Sequence, residues 1–128
     1  MTIRLLISAV AFAALAACAS DPMRDIRGLF QSAKGQSAFA TGLEQYDNGD
    51  YAESAKNLQS ALDQGLAERD KVAAYKHLAF IHCVSGRERQ CRDEFRKALA
   101  VDPSMDLAPA EAGHPIWGPI FQAVKAGR

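Results

Sequence analysis

Three kinds of side chain in this sequence could carry chemistry: thiols, imidazoles and clustered carboxylates. The thiols are Cys18, Cys83 and Cys91, and the imidazoles are His77, His82 and His114. His77, His82, Cys83 and Cys91 lie near one another in the chain and raise the possibility of a metal site. They lack the CxxC spacing and do not form a known zinc pattern. A catalytic thiol needs a poised base. His82 adjoins Cys83, and neighbours on a helix point about 100° apart. Asp47, Asp50 and Glu53 gather around Asn48-Gly49, where Asp and Asn serve turns and caps. There is no glycine-rich phosphate loop and no nucleophile elbow. His114 sits in a Gly-His-Pro turn and reads as structural. The residues therefore point away from an enzyme, a metal, a cofactor or a small-molecule substrate.

The elements that would position these groups are helical. The chain has 128 residues, 48% of them apolar, with 15 basic and 15 acidic side chains. That balance fits one small globular domain and argues against disorder. It also argues against nucleic acid, which calls for a basic surface. From Gln36 onward apolar residues follow the helical period. Helices are predicted over about Gln36–Asp47, Tyr51–Gln64, Glu68–Val84 and Glu88–Val101. A loop with Pro109, Gly113 and Pro115 follows, then a last helix from near Ile116 to Ala126. Asn48-Gly49, Gly65, Ser85-Gly86 and Pro103 supply the stops. No window shows the alternation of a strand. The charged run Arg87 to Lys97 reads as the solvated face of the fourth helix. In residues 18–35 Met23, Ile26, Leu29, Phe30 and Ala33 recur at helical spacing, but Gly28 and Gly35 interrupt it, and the segment reads as a tether with one short helix.

Residues 49–62, GDYAESAKNLQSAL, echo residues 86–99, GRERQCRDEFRKAL. Gly49 aligns with Gly86, Ser54 with Cys91, Leu58 with Phe95, Ala61 with Ala98 and Leu62 with Leu99. The pattern resembles the tetratricopeptide repeat (TPR), a helix-turn-helix unit of 34 residues, with a slightly longer connecting loop. Tyr75, Leu78, Ala79, Phe95, Ala98 and Pro103 match its positions well. The first copy matches at Gly42 and Tyr51 but misses at Ala38, Thr41 and Gln45. The resemblance implies an all-α, short TPR-like solenoid over residues 36–128: two repeats and a C-terminal capping helix. It places small residues, Gly42 against Ser54 and Ala79 against Cys91, where paired helices cross. It also implies a concave groove for a protein partner, lined by Phe39, Leu43, Tyr46, Lys76 and Phe80, with Cys83 at its end. The alternative is that the protein's own Trp117 and Phe121 fill that groove.

The first residues, MTIRLLISAVAFAALAAC, have Arg4 before an apolar stretch and small residues before Cys18, as a secretory signal peptide does. Leu15-Ala16-Ala17-Cys18 resembles the lipobox of bacterial lipoproteins. That resemblance implies a signal peptide over residues 1–17, diacylglycerol on Cys18 and an acylated new amino terminus. Ala19, in the sorting pattern of enteric bacteria, implies the outer membrane, facing the periplasm. Elsewhere nothing approaches a membrane span. With Cys18 given to lipid, Cys83 and Cys91 are an even pair in an exported chain, which favours a disulfide. Free structural thiols and a metal or redox pair remain the alternatives.

The stretch from Cys91 to Lys125, CRDEFRKALAVDPSMDLAPAEAGHPIWGPIFQAVK, carries the most specific pattern, over Asp102–Phe121. With the lipobox and the cysteine pair it resembles small TPR lipoproteins associated with type VI secretion systems. The resemblance implies an accessory interaction role at the cell envelope. An adaptor of barrel-assembly or cell-wall machinery is the alternative.

Overall fold

The computed structural model describes residues 22–128. Residues 1–17, read as a signal peptide, and Cys18 lie outside the described residues. Six helices follow in order: α1 (Pro22–Asp47), α2 (Tyr51–Gln64), α3 (Glu68–Val84), α4 (Glu88–Val101), α5 (Pro109–Ala112) and α6 (Trp117–Lys125). No β-strand occurs among the described residues.

The helices pair as two hairpins, α1 with α2 and α3 with α4, stacked through α2 and α3. Both hairpins close on the same turn. Gly49 and Gly86 take positive φ, +82° and +75°, a region glycine enters without the penalty of a Cβ. In the first turn Asp50 N–H donates to the Gln45 carbonyl at 2.8 Å; in the second Arg87 N–H donates to the His82 carbonyl at 2.8 Å. These bonds reach back over the helix end and satisfy carbonyls that would otherwise be orphaned. The repeat seen in the residues is thus a repeat of hydrogen bonds.

The small-residue crossing is also present. Gly42 meets Leu58 so closely that a Cβ would stand 2.9 Å from its side chain. Ser54, fully buried, donates its Oγ–H to the Gly42 carbonyl at 2.7 Å. The chain N-terminal to Gln36 departs from the tether reading, because α1 runs unbroken from Pro22. Gly35 does not stop the helix: it is buried where α1 passes the end of α2, and a Cβ there would collide with the Gly65 carbonyl. A glycine at that spacing looks like a breaker in sequence and acts as a contact in three dimensions.

Helix α3 is central. Ala74, Leu78 and Ile81 pack toward the first hairpin, in a core with Phe39, Leu58, Ala61 and Leu66. Ala79, Phe80 and Cys83 pack the other way, with Cys91, Phe95, Ala98, Phe121 and Val124. A helix apolar on two sides belongs inside a stack. Helix α6 covers α3 and α4. The segment before it, read as plain loop, contributes Met105 and Leu107 to the core, is held by Lys125 Nζ on the Met105 carbonyl at 2.9 Å, and contains the short helix α5.

Candidate functional site

The candidate surface is the inner face of the stack, where the first helix of each hairpin looks toward the C-terminal segment. The groove residues named from sequence divide there. Leu43, Tyr46 and Lys76 lie half-buried on this face. Phe39 is buried under it. Phe80, expected on an open groove, is only 2% exposed and needs correction to a core residue: the Trp117 ring stacks on it at 4.2 Å and 23°. Lys76 is not a free cation either, since its Nζ pairs with Glu111 Oε1 at 2.8 Å. The C-terminal segment therefore roofs the far end of the groove. The reason is chemical. An apolar wall bearing Phe80 and Phe95 has to be covered, and Trp117 covers Phe80 while Phe121 packs on Phe95.

The roof is locked by a compact set of bonds. Trp117 Nε1–H donates to the Glu111 carbonyl at 2.8 Å. Glu111 Oε2 accepts from the Ala108 N–H at 3.0 Å, capping α5. The His114 ring stacks on Trp117 at 3.4 Å, nearly parallel at 6°, and His114 Nδ1 accepts from the Ile116 N–H at 3.2 Å. A Cβ on Gly118 would collide with the Ala112 carbonyl. Trp117 over Phe80 is the filling by the protein's own C-terminal rings that the sequence held as the alternative; Glu111 and Gly118 are the residues of this face that the repeat pattern leaves out. Their signal was the PAEAGHPIWG wording itself.

A chain of rings runs from the roof to the open edge. Phe80 meets His77 at 5.9 Å, His77 meets Tyr46 edge-on at 4.8 Å and 86°, and Tyr46 meets the exposed Tyr51 at 5.5 Å. Edge-to-face geometry suits the ring quadrupoles. Burial, and then the neighbouring Tyr51, Glu111 and Asp47, push the Tyr46 hydroxyl up to about 12, so it remains a hydrogen-bond donor. Burial holds His77 below the ordinary histidine value, although its Nδ1 bonds the Ala73 carbonyl at 2.7 Å. Burial works against the Glu111 carboxylate, yet the bonds from Lys76 and from Ala108 N–H hold it below the usual value. The face is thus aromatic, with one closed ion pair and the Asp47 carboxylate near Tyr46, and fit for contact with a polypeptide.

Cys83 and Cys91 are joined by a disulfide with their Cα atoms 5.1 Å apart. The bond ties the end of α3 to the start of α4 inside the core, where Cys91 is fully buried and Cys83 nearly so. His82 points elsewhere, accepting from Arg87 Nε–H at 2.9 Å. Among the described residues no cluster of three or more His, Cys, Asp or Glu side chains is placed to hold a metal ion.

Comparison with known proteins finds two curated relatives, both photosystem I assembly protein Ycf3. The protein from Synechococcus sp. strain CC9605 is 30% identical over 86 residues, covering 66% of this chain and 50% of the relative. That from strain CC9902 is 31% identical over 86 residues with the same coverage. The chain spans about half the length of the curated relatives it matches. No family model matches, and no solved structure matches. Two hairpins closed by one repeated turn, crossing at small residues and related in sequence to these assembly proteins, make this an all-α protein with a TPR-like helical fold.

Proposed function

We propose that this protein is a lipid-anchored scaffold of the bacterial envelope, whose helical stack holds a protein partner and carries out no catalysis. The observation that carries the reading is the strip of half-exposed rings and apolar edge on the inner face, Leu43, Tyr46, Tyr51 and His77, beside the Lys76–Glu111 pair. Its rings offer large contact area at small entropic cost, and such a face suits an apolar segment or amphipathic helix of a partner. The similarity to proteins named for assembly of a complex supports a role in assembly. The Leu15–Cys18 pattern supports the anchor, with Cys18 as the lipidated residue, and Ala19 supports the outer membrane with the domain in the periplasm. The Asp102–Phe121 segment supports type VI secretion as the complex served.

The test is crosslinked affinity purification from intact cells with the full chain as bait. Recovery of type VI membrane or sheath components, lost when Tyr46 and Tyr51 are changed to alanine, is the expected result. Recovery of barrel-assembly or peptidoglycan proteins instead keeps the scaffold and discards the secretion reading. In parallel, a Cys18→Ser variant should leave the membrane fraction; if the processed protein stays there, the anchor is wrong.

A further inference from the structure

Every residue from 23 to 34 of α1 is exposed. A Cβ on Gly35 would meet the end of α2, whereas one on Gly28, one heptad earlier, would meet nothing within 4 Å among the described residues. The N-terminal half of α1 therefore projects past the stack by roughly 20 Å at 1.5 Å per residue. This arm is not a polar spacer. Ile26, Leu29, Phe30 and Ala33 recur at the i, i+3, i+4, i+7 positions of one helical face. Leu29 is 71% exposed, Phe30 66% and Ile26 47%. Arg27 and Lys34 flank that face on one side and Arg24 lies farther round the helix, against the single carboxylate of Asp25 in this stretch. The glycines Gly28, Gly35 and Gly42 line up at heptad spacing on the side that faces α2, so the apolar face looks away from the body.

We propose that this arm lies in the surface of an anionic lipid bilayer, with Ile26, Leu29 and Phe30 in the acyl boundary and the cations among the headgroups. An apolar stripe with aromatic and leucine side chains beside Arg and Lys has the chemistry of an interfacial helix. Its cations match the charge of anionic headgroups. It is an arm that rests on a membrane: no described helix is long and apolar enough to cross one. Position agrees, and here the inference rests on the anchor reading above. Three residues separate Cys18 from Pro22, and the four steps between them, fully extended, reach at most about 14 Å. A lipidated Cys18 thus holds the first turn of α1 at the headgroups. The arm would then set the orientation of the stack above the bilayer, which a flexible tether would leave free.

The experiment places a photoreactive benzophenone residue at Leu29, at Phe30 or, outside the apolar face, at Ser32 of the full chain in cells, followed by irradiation. Phospholipid adducts at Leu29 and Phe30, about fivefold above Ser32, are expected for a helix lying with one face down. Adducts with a second copy or another protein in place of lipid, or equal lipid yield at all three positions, overturn the proposal. The lipidated protein is then reconstituted in phosphatidylethanolamine vesicles with or without phosphatidylglycerol. Omitting the anionic lipid, or changing Arg24, Arg27 and Lys34 together to glutamine, should lower the adduct yield about threefold; no change in either arm overturns the charge match. Fractionation of Cys18→Ser in the same cells reads the anchor separately, so loss of the anchor and loss of the arm's contact are distinguishable.

Discussion

His77 and His82 give this small protein a direction of pH dependence. Burial lowers both below the usual imidazole value, and Arg87 donates to His82 Nδ1, an acceptor that protonation removes. The unfolded chain takes up protons near the ordinary value of about 6.5 while the folded one resists them. Stability is therefore full above that value and falls as pH drops through it. The urea midpoint should fall between pH of about 7.5 and 5.5, and the His77→Phe, His82→Gln pair should flatten the change. Glutamine keeps an acceptor for Arg87, and phenylalanine keeps the ring contacts with Tyr46 and Phe80. An unaltered slope in the pair would exclude these histidines as the source. The disulfide is the second residue-scale lever. A bond that closes a loop over a sequence separation of 8 limits the unfolded chain and contributes roughly 2.5 kcal/mol. Reductant, or Cys83→Ala with Cys91→Ala, should lower Tm by about 10 °C or more; agreement of the two treatments would assign the effect to the bond. In sequence the pairing was legible only through the expectation that the chain is exported. The pKa shifts were not, because His77 owes its shift chiefly to burial, which depends on elements distant in the chain.

At the scale of elements, the glycines of α1 separate propensity from packing. Gly28 and Gly35 carry the same intrinsic cost in a helix, about 1 kcal/mol each relative to alanine. Their surroundings differ: Gly28 meets open space, whereas Gly35 abuts the Gly65 carbonyl. Gly28→Ala should therefore raise helicity of the arm without lowering the melting temperature. Gly35→Ala should destabilise the first hairpin by about 1–3 kcal/mol, the usual cost of overpacking. Circular dichroism melts of the two variants decide it; equal effects would mean that propensity alone governs α1. The four main helices and their stops were readable because period and turn residues agreed. The start of α1 was not, since a sequence does not tell a breaking glycine from one at a helix crossing. Helix α5 was missed for a related reason: its four residues are too few for a period, and it is held by Glu111 bonding back to the Ala108 N–H.

The whole molecule turns on how two repeats become a closed body. A repeat unit buries its apolar face only against a neighbour, and two units leave one face bare. Here the bare face carries Phe80 and Phe95, and α6 covers it with Phe121 at 5.1 Å from Phe95 and with Trp117 over Phe80. The groove that the repeat pattern implies and the cap that closes it thus compete for one surface. Periodicity within each helix could show both sets of apolar residues; it could not show that they meet, because contacts between segments so far apart in the chain leave no local trace. If the C-terminal segment is the missing third layer, a chain ending at Pro103 should lose cooperative unfolding and expose apolar surface to a hydrophobic dye. Trp117→Ala, which removes only the roof, should keep the cooperative transition at a cost of about 2–4 kcal/mol. A truncated chain that melts as sharply as the whole, within a few degrees, would show that two hairpins suffice and that α5 and α6 serve the groove alone. The pair of variants is informative because they act at different depths: Phe121 is fully buried in the shared core, while Trp117 is half-exposed above it. A steep loss on truncation with a shallow loss at Trp117 is the signature of a cap whose base is structural and whose outer edge still faces a partner.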